Sequence, residues 1–129
     1  KIHEDMDLII EDAATKTPIG FFSIYDIDMQ TGRAEISFLI GEEGFRGRGV
    51  GKAMANLAVD LCFHKLGLHA VTASVTMENK ACIKALESAG FKRAGLLREF
   101  QLVGDRRFDE IIFEMLRTDL GLDLGGVGP

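Results

Sequence analysis

Arg46-Gly47-Arg48-Gly49-Val50-Gly51 places three glycines and two arginines between an apolar run at 36–40 and a helical pattern that begins near Val50. Glycines let main-chain N–H groups approach a ligand closely, and the following helix adds the positive end of its dipole, so this segment is a cradle for an anion. Two common phosphate loops fail against the same letters. A Walker loop needs Ser or Thr after Gly51-Lys52, where Ala53 stands, and it needs glycine where Arg46 stands. The dinucleotide pattern counted from Gly47 needs glycine at Lys52. Elsewhere, Glu35 lies on the segment leading into the cradle, and Asn79 precedes a helical run containing Cys82. No Cys/His or Ser/His pairing points to a covalent nucleophile. His3, His64 and His69 are scattered without metal-ligand spacing, and Cys62 and Cys82 have no CxxC neighbour. Buried thiols, rather than a disulfide or a metal site, are therefore expected.

The elements that must position these groups follow from periodicity. Residues 7–12, 20–26 and 33–40 read as strands joined by turns at 14–18 and 31–32, giving an antiparallel meander. From 50 to 66 the pattern is helical: Val50, Met54, Leu57, Ala58 and Leu61 form an apolar stripe, and Gly67 supplies the stop. Residues 69–77 alternate as a strand. Asn79 is the expected N-cap of a helix over 80–89, closed by Gly90. Strand, helix, strand in this order requires a parallel pair. Residues 96–102 and 109–116, around Gly104-Asp105, read as a hairpin. The expected organisation is one domain over 1–120 with a flexible glycine-rich tail at 121–129.

Composition limits the function classes. The chain has 129 residues, enough for one core, and 47% are hydrophobic. No apolar run approaches the 18 residues of a membrane span, and the charged start Lys1-Ile2-His3-Glu4-Asp5 has no secretory h-region, so the cytoplasm is the expected location. A net charge of -5 argues against binding nucleic acid through a basic face. An acidic surface suits a cationic partner such as an amine, although acidity serves solubility equally well.

Three separated segments carry a family resemblance. Arg46-x-x-Gly49-x-Gly51, preceded by Ala34-Glu35-Ile36, is similar to the pyrophosphate loop of the GNAT superfamily of acetyl-CoA-dependent N-acetyltransferases. Asn79-Lys80-Ala81-Cys82 through Gly90-Phe91 resembles the family's Asn-x-x-Ala/Ser followed by Gly-Phe. Gly95-x-Leu97-Arg98-Glu99, Gly104-Asp105-Arg106 and Asp109 resemble the C-terminal hairpin of the ribosomal-protein and spermidine N-acetyltransferase branch. The resemblance implies an α+β fold, a mixed and mostly antiparallel twisted sheet of order βββαβαββ whose parallel pair splays to hold coenzyme A. Family members begin with a further strand and one or two helices that wall the acceptor site, and only six residues precede residue 7 here.

The resemblance also assigns roles. Pantetheine is expected on the main chain of Phe38, Leu39 and Ile40, as an added strand pairs with a free edge. Pyrophosphate is expected on Gly47, Gly49, Val50 and Gly51, with charge from Arg46, Arg48 or Lys52. Arg46 is favoured for its forked geometry, and solvated surface charges are the alternative for the other two. Asn79 is expected to cap its helix and bond pantetheine. Glu35 is the expected general base, with pairing to Arg33 as the alternative. An alkyl ammonium of pKa near 10.4 costs about 4.6 kcal/mol to deprotonate at pH 7, and an α-ammonium near 7.8 costs about 1 kcal/mol. Cys82, standing where relatives often have serine, is the candidate general acid, with a small buried core residue on an Ala-rich helix as the alternative; Leu86 occupies the position where many relatives have tyrosine, and Tyr25 is the sole tyrosine. An N-acetyltransferase with acetyl-CoA as co-substrate, no metal and a primary-amine acceptor is implied, as a monomer or homodimer. A non-catalytic acyl-CoA-binding or regulatory module is the alternative.

Overall fold

The computed structural model describes residues 5–40 and 49–122. Six strands form one sheet: β1 (Met6–Glu11), β2 (Pro18–Asp28), β3 (Arg33–Ile40), β4 (Ala70–Thr76), β5 (Lys92–Val103) and β6 (Arg106–Leu116). Their spatial order is β1-β2-β3-β4-β6-β5. Every neighbouring pair is antiparallel except β3 and β4, which are parallel. The connection between that pair contains α1 (Val50–Val59), and α2 (Lys80–Ser88) connects β4 to β5. The order of elements is the one the sequence predicts.

Side-chain alternation divides the sheet into two faces. Phe22, Ile24, Ala34, Ile36, Val71, Ala73, Val75, Ile111, Phe113 and Met115 are buried and form one core with Met54 and Ala58 of α1 and Cys82, Ile83 and Leu86 of α2. Burial of each large apolar side chain contributes roughly 1.5–3 kcal/mol. The helices therefore cover one face. The opposite face carries Tyr25, Glu35, Thr72 and Glu114 as one cross-strand row. At Gly20 the helix layer comes close enough that a Cβ would lie 2.7 Å from Met54 Sδ, which accounts for glycine at that point in β2.

Three local departures from the expected periodicity shape the molecule. The predicted helix over 50–66 is α-helical only to Val59 and continues as a π-helical segment, Asp60–Lys65. Cys62 and Phe63 of this segment enter the core, while the Phe63 carbonyl accepts a hydrogen bond from Arg117 Nη1 at 2.9 Å. In β2 the register slips between Tyr25 and Asp28, with Asp26 at φ 51. This bulge returns Ile27 to the core and leaves Asp26 exposed beside the open face. A second irregularity in β5, between Leu97 and Gln101, places Glu99 at φ 51 with its N–H donating to Asp109 Oδ1 at 2.8 Å.

Candidate active site

The parallel ladder stops short. β3 and β4 pair from Arg33↔Ala70 to Ile36↔Ala73, yet β3 continues to Ile40 along β2 and β4 continues to Thr76 along β6. Beyond Ile36 the two strands part, and among the described residues the β3 edge facing β4 has no strand partner. The gap holds a cavity of about 150 Å³, bordered by Ser37, Phe38, Ser74, Cys82, Gln101 and Glu110 among others. Phe38 and Cys82 belong to the helix side of the sheet, whereas Ser37, Ser74 and Glu110 belong to the open face. The cavity thus runs through the sheet. An adjoining cleft of about 480 Å³ extends along Phe38, Leu39, Thr76, Asn79 and Cys82.

Sequence-predicted residues divide among three places. Phe38, Leu39, Asn79 and Cys82 meet in the cleft. Ile40 ends β3 and pairs with Gly20. Gly49 is the N-cap of α1 at φ 79, a left-handed conformation that favours glycine, and among the described residues no side chain caps the helix. The first-turn N–H groups of Val50, Gly51 and Lys52 are therefore left without an intrahelical acceptor, as an anion site requires. Arg46, Gly47 and Arg48 lie outside the described residues. The described half of the cradle, the free β3 edge and the cleft fit a long anionic thioester carrier such as acetyl-CoA.

Asn79 caps α2 as expected: its Oδ1 accepts from the Cys82 N–H at 3.1 Å. That bond holds the first turn and places the Cys82 side chain toward the gap. Burial pushes the Cys82 thiol up to about 11. It is protonated at neutral pH, so it can donate a proton but is a poor base or nucleophile.

Glu35 stands at the paired end of β3, between Tyr25 and Thr72. It lines a separate cavity of about 490 Å³ with Asp26, Arg33, Ala70 and Thr72. Burial, followed by the hydrogen bond with Asp26 and that carboxylate's charge, raises the Glu35 pKa above the ordinary glutamate value. The β2 bulge supplies Asp26, so a slip in one strand alters a carboxylate on the next. Tyr25, on the same face, is also raised by burial and then by the charges of Glu35, Asp26 and Glu110. Its phenol stays protonated, under the charge of three carboxylates.

Glu110 and Gln101 are absent from the residues the sequence singles out. Glu110 is 8% exposed, and Gln101 Nε2 donates to its Oε1 at 2.8 Å. In the sequence Glu110 is one more acidic residue after Asp109. Its burial depends on the irregularity in β5, which no local pattern announces.

A mixed sheet opened at its parallel pair, with a glycine-capped helix following the opened strand, defines a GNAT-type fold. The chain belongs to the GNAT acetyltransferase family, whose domain matches residues 1–92. An uncharacterized N-acetyltransferase, p20, of Bacillus licheniformis is 32% identical over 105 residues, which cover 81% of this chain and 58% of that protein. A spermidine N(1)-acetyltransferase of Vibrio cholerae is 31% identical over 106 residues, 80% of this chain and 60% of that one. A solved dodecameric structure of spermidine N-acetyltransferase from Vibrio cholerae, in an intermediate state, superposes with a TM-score of 0.79 at 27% identity, covering 90% of this chain and 67% of that chain. The chain spans 58% and 60% of the length of these two curated relatives. Among the described residues, no helix is long and apolar enough to cross a membrane.

Proposed function

We propose that this protein is an acetyl-CoA-dependent N-acetyltransferase that acetylates a primary amine by direct attack in a ternary complex. The observation that carries this reading is the gap between β3 and β4, which opens to the α2 side and to the opposite face of the sheet. Acetyl-CoA, when bound, supplies an acyl group activated as a thioester. Arg46, Gly47, Arg48, Gly49, Val50, Gly51 and Lys52 hold its pyrophosphate. The main chain of Phe38, Leu39 and Ile40 holds its pantetheine, with Asn79 at the start of α2. A main-chain N–H on the β3 edge polarises the acyl carbonyl, an interaction typically worth several kcal/mol in acyl transfer.

Glu35 takes a proton from the attacking amine through water. Its raised pKa brings it nearer to neutrality, where a base combines ionisation with proton affinity. Cys82, protonated at neutral pH, returns a proton to the leaving sulfur. The spermidine acetyltransferases among the relatives favour a polyamine as acceptor, beside a protein N-terminus or another small amine. The same reading places the protein in the cytoplasm as a monomer or homodimer with no metal. One observation favours the non-catalytic alternative: Leu86, at the position where the family resemblance implies a tyrosine in many members, is fully buried and offers no proton. Mass spectrometry of spermidine and of a short peptide after incubation with protein and acetyl-CoA tests the proposal. An acetylated amine is the expected product. Acetyl-CoA bound without product from either amine favours the binding module.

A further inference from the structure

Glu110 is the one buried charged residue among those described, and no cation among them pairs with it. Among the described residues its side-chain hydrogen bond comes from Gln101, a neutral donor. Burying a carboxylate is costly unless charge or hydrogen bonds compensate, and among the described residues a neutral amide is the side-chain donor to this one. The position is specific. Glu110 is the cross-strand partner of Thr76 at the splayed end of β4, and it lines the 150 Å³ cavity that also reaches Ser37, Ser74 and Cys82. It lies on the open face, opposite the helices, so the carboxylate and the Cys82 thiol approach the gap from the two sides of the sheet.

The β5 irregularity is what equips this carboxylate. Leu97 pairs with Glu110 and Gln101 with Phe108, with only Asp109 opposite three residues of β5. Glu99 N–H bonded to Asp109 Oδ1 fixes the irregular segment and brings Gln101 onto the face of Glu110. A side chain held by one donor, in a cavity with room for an aminomethyl group, presents its remaining acceptor capacity to that cavity.

We infer that Glu110, held by Gln101, is the docking carboxylate for the ammonium group of the acceptor at the open-face mouth of the gap. The inference rests on the acetyltransferase reading and deepens it by naming where the acceptor binds. The ligand class is a primary ammonium on an aliphatic stem. A polyamine and a peptide N-terminus both carry such a group.

Isothermal titration of spermidine, and separately of a tripeptide with a free N-terminus, into the protein with and without saturating CoA tests the assignment. The parent protein is expected to bind at least one amine. Glu110→Gln should weaken that binding tenfold or more while CoA affinity stays within twofold, and Glu110→Asp should recover part of the loss. A difference between the two probes identifies the kind of amine. Should Glu110→Gln fail to fold by circular dichroism, Gln101→Leu replaces it, with a loss of threefold or more expected. Failure of the parent to bind either amine, or unchanged amine affinity in the folded variant, overturns the assignment. Loss of CoA binding by the parent instead removes the acetyltransferase reading, while the amine titrations without CoA still decide the role of Glu110.

Discussion

Glu35 carries a measurable signature because its neighbours act on one protonation state. Burial and the Asp26 carboxylate both disfavour the ionised form, so folding raises its pKa. The protonated form's contribution to stability is fully present below the unfolded-state pKa and is lost as pH rises through the raised folded value. Glu35→Gln is therefore expected to melt higher than the parent above that window and to lose its advantage below it, in paired calorimetric scans across pH. In catalysis the same variant should lower kcat/KM by about 10²–10⁴-fold and lose the acid inflection that Glu35 gives the parent; an identical pH profile removes it as base. Cys82 makes a different prediction. A thiol raised to about 11 acts only as a donor, so Cys82→Ala should reduce kcat by up to about 10²-fold with acetyl-CoA KM unchanged, and Cys82→Ser should retain most of the activity. Equal kcat in parent and Cys82→Ala assigns the proton to another group. The places of Glu35 on β3, of Asn79 at the N-cap of α2 and of Cys82 in its first turn are legible in the sequence because each occupies a recognisable motif position. Glu110 is not, because its burial comes from pairing between strands with an irregular register.

At the scale of elements, the β2 bulge is a device that sequence alternation conceals. Ile24 and Ile27 are three residues apart, yet both are fully buried, which a regular strand does not permit. Deleting Asp26 should restore a regular ladder, keep Ile27 in the core and remove the carboxylate that acts on Glu35. The expected result is a folded protein whose acid inflection in kcat/KM shifts to lower pH. Loss of folding shows that the bulge itself is required by the sheet. The start of α1 gives a second test. Gly49→Glu places an anion at open first-turn amides and a side chain at φ 79, so acetyl-CoA affinity should fall tenfold or more while the protein remains folded. Unchanged affinity removes this helix start from the cofactor site. Strands over the core were legible because apolar alternation is strong in β2, β3 and β4. Edge strand β5 starts at Lys92, ahead of the expected 96, because its exposed residues carry no alternation to read. The π-helical segment was hidden as well, since its apolar residues also satisfy an ordinary helical stripe.

Across the whole molecule, one interruption in strand pairing organises the site. The antiparallel meander β1-β2-β3 and the β4-β6-β5 unit share only the four cross-strand pairs from Arg33↔Ala70 to Ile36↔Ala73, and the opened end beyond them reaches both faces. Among the described residues the helices lie on one side of the opening, and the opposite face carries Glu35 and Glu110. The proposed ternary-complex reaction requires the acyl donor and the amine to be present together at one gap before transfer. Initial rates of free-thiol release, with acetyl-CoA and spermidine or a peptide amine varied independently, test that requirement directly. Amine-dependent release with intersecting double-reciprocal lines, and no acetylated protein when amine is omitted, is the predicted result. Parallel lines with an acetylated protein, or acetyl-CoA binding with no thiol released for any amine, would contradict it.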